Sequence, residues 1–197
     1  MAEELENIFL SASIPMAERD PKYIESADVI AIRDAVTALV EVVIPKFRLI
    51  WGGHPSITPL VYQVVLKKEQ EGERLIQRHV KLYQSRFFER FFPPDNNQFE
   101  NVTLIESTGE RESSLLEMRT RMFHHGRYKA GIFIGGMEGV EDEFDLFREY
   151  HPEARLIPVA SSGAAAEMIY RKVEFNDHRL LDDYSYFSLF KDYLLDQ

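Results

Sequence analysis

Short apolar runs along this chain alternate with longer stretches in which apolar residues recur every three to four positions. The short runs are predicted to be strands, at residues 7–14, 48–51, 80–84, 102–106, 130–134 and 155–159. The periodic stretches predict helices at residues 29–43, 60–68, 113–125, 140–150 and 164–172, with one or two short amphipathic helices within 180–195. Continuous apolar strands separated by helices are typical of a parallel sheet covered on both faces. The sequence therefore predicts an α/β, Rossmann-like, doubly wound fold with a mainly parallel sheet.

Capping residues indicate where the first two long helices begin and end. Ser26 or Asp28 can cap the first helix, and Pro45 is expected to stop it. Thr58 is the expected N-cap of the second helix, with Pro59 in its first turn.

Two stretches fit no predicted helix or strand. Residues 16–26 are polar, contain Pro21, directly follow Pro15 and are interpreted as a loop, and the aromatic and proline-rich segment 86–100 cannot be assigned. In the helix predicted at 113–125, the expected buried residues are Leu116, Met118, Met122 and Phe123.

Length and composition predict one globular domain over residues 1–197, with 180–197 as a C-terminal helical extension. Hydrophobic residues make up 45% of the chain, and there is no cysteine for a disulfide or a thiolate metal site. The formal charge of −10 disfavours binding to nucleic acid polymers. The acidic N-terminus and the lack of a long apolar run predict a cytoplasmic protein that does not insert into a membrane.

The first candidate ligand site is the loop after the second strand. This loop begins with two adjacent glycines, which have no side chains, and then offers hydroxyls and backbone N–H groups at the start of a helix. A phosphate needs such groups. The alternative is a plain glycine turn before a capped helix. The candidate ligand-binding residues of this loop are Gly52, Gly53, His54, Ser56 and Thr58.

Two more strands end in small residues. Gly135 and Gly136 precede an acidic helix, in which a carboxylate can act as a general acid or base or can hold a ribose. Ser161, Ser162 and Gly163 precede three alanines, which allow close approach of a ligand or simply tight packing.

Polar residues at strand ends complete the predicted site, because ligands of such sheets bind beyond the carboxyl ends of the strands. These residues are Ser11, Ser13 and Gln84. The six histidines have no metal-ligand spacing, so neither a metal site nor a cofactor is expected.

Four segments of the chain resemble the SLOG superfamily, a Rossmann-like group that includes the LOG phosphoribohydrolases and the nucleotide-sensing modules found beside sirtuin, TIR and TRPM-channel proteins. The segments are IFLSASIP, RLIWGGHPSITPLV, KLYQS and LIPVASSGAAAEMIY. They look like the sensor-type subgroup associated with bacterial conflict systems, and the resemblance covers residues 7–172.

The resemblance implies two catalytic positions. LOG enzymes carry a helical arginine, then a strand and the motif PGGxGTxxE, whose glutamate acts with that arginine on an N-glycosidic bond. Here Arg119 lies fifteen residues before Ile134, and the motif is similar to IGGMEGVEDE, which ends at Glu143. One residue is inserted between the glycines, and Val140 stands where the enzymes have threonine.

Two functions remain open from the sequence. One is a sensor whose cleft binds a nucleotide-derived ligand such as ADP-ribose or cyclic ADP-ribose, with Arg119 on phosphate, Glu143 on ribose and a separate effector protein as possible partner. The other is a nucleoside 5′-monophosphate phosphoribohydrolase that uses the same two residues.

A third possibility is an interaction domain with a vestigial cleft. Aromatic residues cluster at 87–92 and 184–193 and could form its contact surface. They are more simply expected to cover the sheet edge and to form a homodimer, which light scattering would show.

Overall fold

A computed structural model describes residues 5–44, 46–73 and 76–195, and its centre is one six-stranded sheet. All five neighbouring strand pairs are parallel, and the order across the sheet is β4-β3-β2-β1-β5-β6. The strands are β1 (Asn7–Ser13), β2 (Arg48–Trp51), β3 (Val80–Ser85), β4 (Val102–Ile105), β5 (Tyr128–Gly135) and β6 (Arg155–Val159).

An α-helix follows every strand except β3, and the helices cover both faces of the sheet. They are α1 (Pro21–Ile24), α2 (Val29–Val43), α3 (Thr58–Gln70), α4 (Arg111–Phe123), α5 (Glu138–Tyr150), α6 (Ala164–Lys172), α7 (Arg179–Asp182) and α8 (Tyr186–Leu194). The predicted doubly wound α/β fold is therefore confirmed. Within the described residues, no helix is both long enough and apolar enough to cross a membrane.

Side-chain alternation along the strands divides the core into two layers. In β1, Ile8 and Leu10 face α2 and α3, whereas Phe9 faces α4 and α5. The Phe9 ring lies 5.0 Å from the Phe123 ring and 5.2 Å from the Phe147 ring, so aromatic packing fills the layer under α4 and α5. The polar residues that follow on the same side of β1 are thereby placed at the upper edge of that layer.

A glycine in β5 permits this aromatic packing. A Cβ atom on Gly131 would lie 2.7 Å from the Phe147 ring, which is closer than real Cβ contacts come. The absence of a side chain lets the α5 aromatic residue lie directly on the strand.

The helix starts differ in part from the capping predictions. Asp28, not Ser26, caps α2 by accepting a hydrogen bond from the Ala31 N–H at 2.9 Å. Thr58 was wrongly predicted as an N-cap: it is the first residue of α3, and its hydroxyl accepts from Trp51 Nε1. The predicted stop at Pro45 lies outside the described residues.

The two unassigned stretches contain short helical segments. Residues 16–26 include α1, whose Tyr23 is buried under α5 and α6, so the loop interpretation was incomplete. The segment 86–100 forms two 3₁₀ helices, at Arg86–Phe91 and Pro94–Gln98.

One predicted core residue is on the surface. Leu116 is 51% exposed, because α4 turns the side that carries Met118, Met122 and Phe123 toward the sheet. At the C-terminal end, α8 packs along α2, and the Tyr193 carbonyl accepts a hydrogen bond from Arg155 at the start of the edge strand β6.

Gly163 offers a test of how tightly the loops between strands and helices are packed. Its backbone has φ +70° and ψ −160°, a conformation that is almost exclusive to glycine, and a Cβ atom would lie 1.8 Å from the Ser26 carbonyl oxygen. We expect Gly163→Ala to lower the free energy of unfolding by at least about 3 kcal/mol in urea titrations. Gly72, with φ +87° and open space around it, is the matched control and should lose only about 1 kcal/mol on the same change. Equal losses in the two variants would contradict this packing.

Candidate functional site

The candidate site lies where the chain reverses its direction across the sheet. From β1 the connections run outward through β2, β3 and β4, and the chain then returns to the other side of β1 as β5. The loops after β1 and β5 diverge at this point, and α/β sheets bind ligands in the crevice that such a divergence leaves. A cavity of about 460 Å³ opens there.

A buried ion pair forms one side of this cavity. Arg119 of α4 donates from Nε to Glu143 Oε1 at 3.1 Å, and the two side chains are 8% and 15% exposed. The Ser11 hydroxyl at the end of β1 donates to the other carboxylate oxygen, Oε2, at 2.5 Å. Both oxygens of Glu143 are therefore held by the protein, and the carboxylate has one orientation.

The rest of the Arg119 guanidinium group is also bonded. Nη2 donates to the Gly139 carbonyl at 3.0 Å, and Nη1 donates to Asp142 Oδ2 at 3.3 Å. Gly139 lies one helical turn before Glu143, so Arg119 binds two successive turns of α5. The residue inserted in the sequence motif does not turn Glu143 away from Arg119.

Glycines bring the β2 loop close to the ion pair. A Cβ atom on Gly52 would lie 3.1 Å from the Met118 methyl group and 3.9 Å from Glu143 Oε1. Gly53 has φ +62°, and a Cβ there would lie 1.8 Å from Gln84 Nε2. Gly53 needs glycine because of its positive φ and the Gln84 side chain above it, whereas a Cβ atom on Gly52 would press on the end of the Met118 side chain.

His54 is the titratable group of this loop. Its Nδ1 lies 2.8 Å from Ser56 Oγ, which also accepts a hydrogen bond from the Ile14 backbone N–H. Burial, with a smaller contribution from the positive charge of Arg19, lowers the pKa of His54 to about 4. His54 is therefore neutral at physiological pH.

The mouth of the cavity carries charged residues that the sequence did not single out. Arg19 follows β1, and Arg111 is the first residue of α4. Their Nη2 atoms lie 3.6 and 3.7 Å from the same oxygen, Oε1 of Glu138, at the start of α5. Three elements thus converge on one carboxylate.

An apolar wall faces the ion pair. It comes from the first 3₁₀ helix of the unassigned segment and the residues just after it, and Phe91 is 71% exposed although it lines the cavity. The residues of this wall are Phe88, Phe91, Phe92 and Pro93. The repeated aromatic pairs in RFFERFFPP were the available signal, but the sequence does not show which strand end they cover.

The structure brings together seven of the predicted site residues in the cavity wall. They are Ser13, Gly52, Gly53, His54, Gln84, Arg119 and Glu143. Ser11 lies beneath them and bonds to Glu143. Ser56 and Thr58 use their hydroxyls inside the β2 loop, where Thr58 is fully buried and accepts from the His54 N–H.

The other small-residue loops are placed in contacts within the protein. Gly135 N–H donates to Ser162 Oγ, and Gly136 N–H donates to the Ser13 carbonyl. Ser161 bonds to the Asp183 carbonyl, and Gly163 packs on Ser26. The residues predicted in these two loops do not line the cavity, so their ligand contacts stay predictions: Gly135, Gly136, Ser161, Ser162 and Gly163.

Comparison with known families matches residues 22–194 to the sequence model of the SLOG cluster3 family. The match covers most of the chain, including α4, β5 and α5, which carry the ion pair. No curated protein matches the chain.

The low pKa of His54 predicts a pH effect on stability. In the unfolded chain His54 takes up a proton near pH 6.5, whereas in the folded chain it does so only near pH 4. The free energy of unfolding should therefore fall as the pH drops from about 6.5 to about 4, with a contribution from His54 of the order of 2 kcal/mol. Urea titrations of the wild type and of His54→Asn, which keeps a polar atom near the position of Nδ1, measure this contribution.

The His54→Asn variant should lose less stability than the wild type over that pH range. His178→Asn, at an exposed histidine, is the matched control and should behave as the wild type. His151, whose pKa is also lowered by burial, is present in all three proteins and cancels from the comparison. Equal acid sensitivity of wild type and His54→Asn would contradict a neutral, half-buried His54.

Proposed function

The chain belongs to the SLOG cluster3 family, a group of nucleotide-related, LOG-like domains, and from this membership we propose that its cavity binds and senses a nucleotide-derived ligand of the ADP-ribose or cyclic ADP-ribose type. The observation that carries this proposal is the fixed carboxylate of Glu143, held by Arg119 and Ser11 on one side of a cavity with an aromatic wall.

The size and chemistry of the cavity support one ligand of nucleotide size. Its volume of about 460 Å³ falls within the range of about 300–1,000 Å³ that is usual for small-molecule sites. The exposed face of Phe91 offers a stacking surface for a base, and base–aromatic stacking contributes about 1–3 kcal/mol. A carboxylate accepts hydrogen bonds from both hydroxyls of a ribose, which is the role we assign to Glu143.

In this proposal Arg119 positions the carboxylate of Glu143. This role replaces the phosphate contact that the sequence predicted for Arg119. Three of its N–H groups already donate to Glu143, Asp142 and the Gly139 carbonyl. A guanidinium group so bonded orients the carboxylate, because moving it to a phosphate would leave Glu143 buried without its charge partner.

A second function, N-glycosidic hydrolysis, is favoured by one observation. The two residues at the positions of the LOG catalytic pair are in direct contact, 3.1 Å apart, in spite of the inserted residue. In such an enzyme Glu143 would stabilise the oxocarbenium charge that develops as the bond to the base breaks. Water would then add to C1′ of the ribosyl group as the C1′–N bond breaks, and one proton of that water would go to the departing base.

In the cell, we propose that the domain works in the cytoplasm in bacterial defence or stress signalling. A sensor transmits its ligand signal to an effector, and the first predicted partner is a separate effector protein. The second predicted partner is another copy of the chain, in a homodimer. The observation behind this context is the resemblance of the sequence to the sensor-type subgroup.

Binding of ADP-ribose should stabilise the protein. At a ligand concentration 100 times the Kd, the free energy of unfolding should rise by about 2.7 kcal/mol, and the Tm should rise by about 5–10 °C. Phe91→Ala should weaken binding about 5- to 150-fold through loss of stacking. Phe187→Ala, at an exposed phenylalanine of α8, is the matched control and should bind as the wild type.

The same samples separate the sensor from the enzyme. After incubation with AMP, NAD or ADP-ribose, a sensor releases no free base, whereas an enzyme releases base that disappears in Glu143→Gln and persists in Asp142→Asn. Asp142 contacts the same arginine but is 58% exposed, so it controls for a general weakening of the Arg119 contacts. If none of the three nucleotides shifts the Tm or is cleaved, both proposed functions are wrong.

A further inference from the structure

The positive charge that a phosphorylated ligand requires is found at one end of the cavity. In the described part of the chain, three arginines line the cavity: Arg19, Arg111 and Arg119. Arg119 is bonded to protein acceptors on three of its nitrogens and lies under the mouth, with a side chain that is 8% exposed. Arg19 and Arg111 are 39% and 38% exposed and remain accessible to an incoming anion.

The glycine loop that the sequence predicted as a phosphate site is largely occupied by its own contacts. The backbone N–H groups of Ile57 and Thr58 donate to the His54 carbonyl, and that of Ser56 donates to His54 Nδ1. The His54 N–H donates to Thr58 Oγ1. A phosphate on these four amides would have to break the turn that starts α3.

Arg19 and Arg111 share a carboxylate that satisfies neither of them well. Both contacts to Glu138 Oε1 are longer than 3.5 Å, and all three side chains are partly exposed. Exposed ion pairs of this kind contribute about 0–1 kcal/mol. Arg111 makes one further contact, from Nη1 to Glu112 Oε1 at 3.0 Å, and the Glu112 side chain is 79% exposed. Compared with Glu138, a phosphate or pyrophosphate group offers shorter, bidentate hydrogen bonds to both guanidinium groups.

We propose that Arg19 and Arg111 form an anion subsite at the mouth of the cavity, which binds the phosphate or pyrophosphate group of the ligand in place of Glu138. The subsite rests on the proposed function, since it orients the same ligand: pyrophosphate at the mouth, ribose on Glu143 and base on the Phe91 wall. Glu138 acts as a competitor that occupies the arginines when no ligand is bound.

The charge of Arg19 already acts inside the cavity, which supports its place in the subsite. It contributes to the lowered pKa of His54, whose side chain lines the same wall. A neutral His54 adds no positive charge to the subsite, so the two arginines carry its electrostatics.

Calorimetric titration with three probes tests the subsite: ADP-ribose, adenosine and inorganic pyrophosphate. Arg19→Gln and Arg111→Gln should each weaken ADP-ribose and pyrophosphate about tenfold and leave adenosine unchanged. Arg121→Gln is the matched control, because this α4 arginine pairs with Glu117 and is 66% exposed. The control should bind all three probes as the wild type does.

Glu138→Gln should have the opposite effect, since it removes the competing charge and leaves both arginines in place. ADP-ribose and pyrophosphate should then bind about 3- to 10-fold more tightly. Glu149→Gln makes the same charge change in the last turn of α5, on an exposed residue, and should leave both affinities unchanged. If Glu138 has only a structural role, the Glu138→Gln variant should bind ADP-ribose and pyrophosphate with unchanged or lower affinity.

The outcomes separate the subsite from the proposed function. If ADP-ribose binds the wild type and the Arg19, Arg111 and Glu138 variants with one affinity, the subsite is wrong and the nucleotide function stands. If pyrophosphate binds in an arginine-dependent way but neither ADP-ribose nor adenosine binds, the subsite stands and the nucleotide function is wrong. If no probe binds the wild type, both are wrong.

Discussion

The buried pair of Arg119 and Glu143 is the interaction on which the cleft depends. Two charges removed from water cost several kcal/mol each, and only mutual contact and further hydrogen bonds compensate for that cost. Here Ser11 supplies the second contact of the carboxylate, and the Gly139 carbonyl supplies another contact of the guanidinium group. The pair thereby joins α4, α5 and the end of β1 at one point.

The polarity of the neighbouring side chains along β1 matches the position of this ion pair. One side of β1 changes from Phe9, packed on the rings of α4 and α5, to Ser11, bonded to Glu143. This side of β1 therefore changes from apolar at Phe9 to polar at the carboxyl edge of the sheet. The divergence of the chain on either side of β1 opens the cavity at this same edge, so the fixed carboxylate lines the cavity.

The elements with strong local signals were predictable from the sequence. The strands at 48–51 and 155–159 and the helix at 164–172 have the predicted bounds. Each strand is a short apolar run, Gly52 follows the first strand, and Gly163 precedes the helix. Contacts between distant segments carried no such signal. Arg19 and Arg111 are 92 residues apart and meet only at Glu138, and Phe91 lines the cavity through the path of a segment without periodicity. Leu116 was placed wrongly because a mixed helix does not show which side packs on the sheet.

A crystal structure of the chain with ADP-ribose tests the central claim most directly, that Glu143 is a preset ribose acceptor held by Arg119. We predict ribose hydroxyl oxygens within hydrogen-bond distance of the Glu143 carboxylate, with Arg119 still bonded to Glu143 and the Gly139 carbonyl. Ligand density outside the cavity, or Arg119 released from Glu143 and bound to the pyrophosphate, would contradict this account.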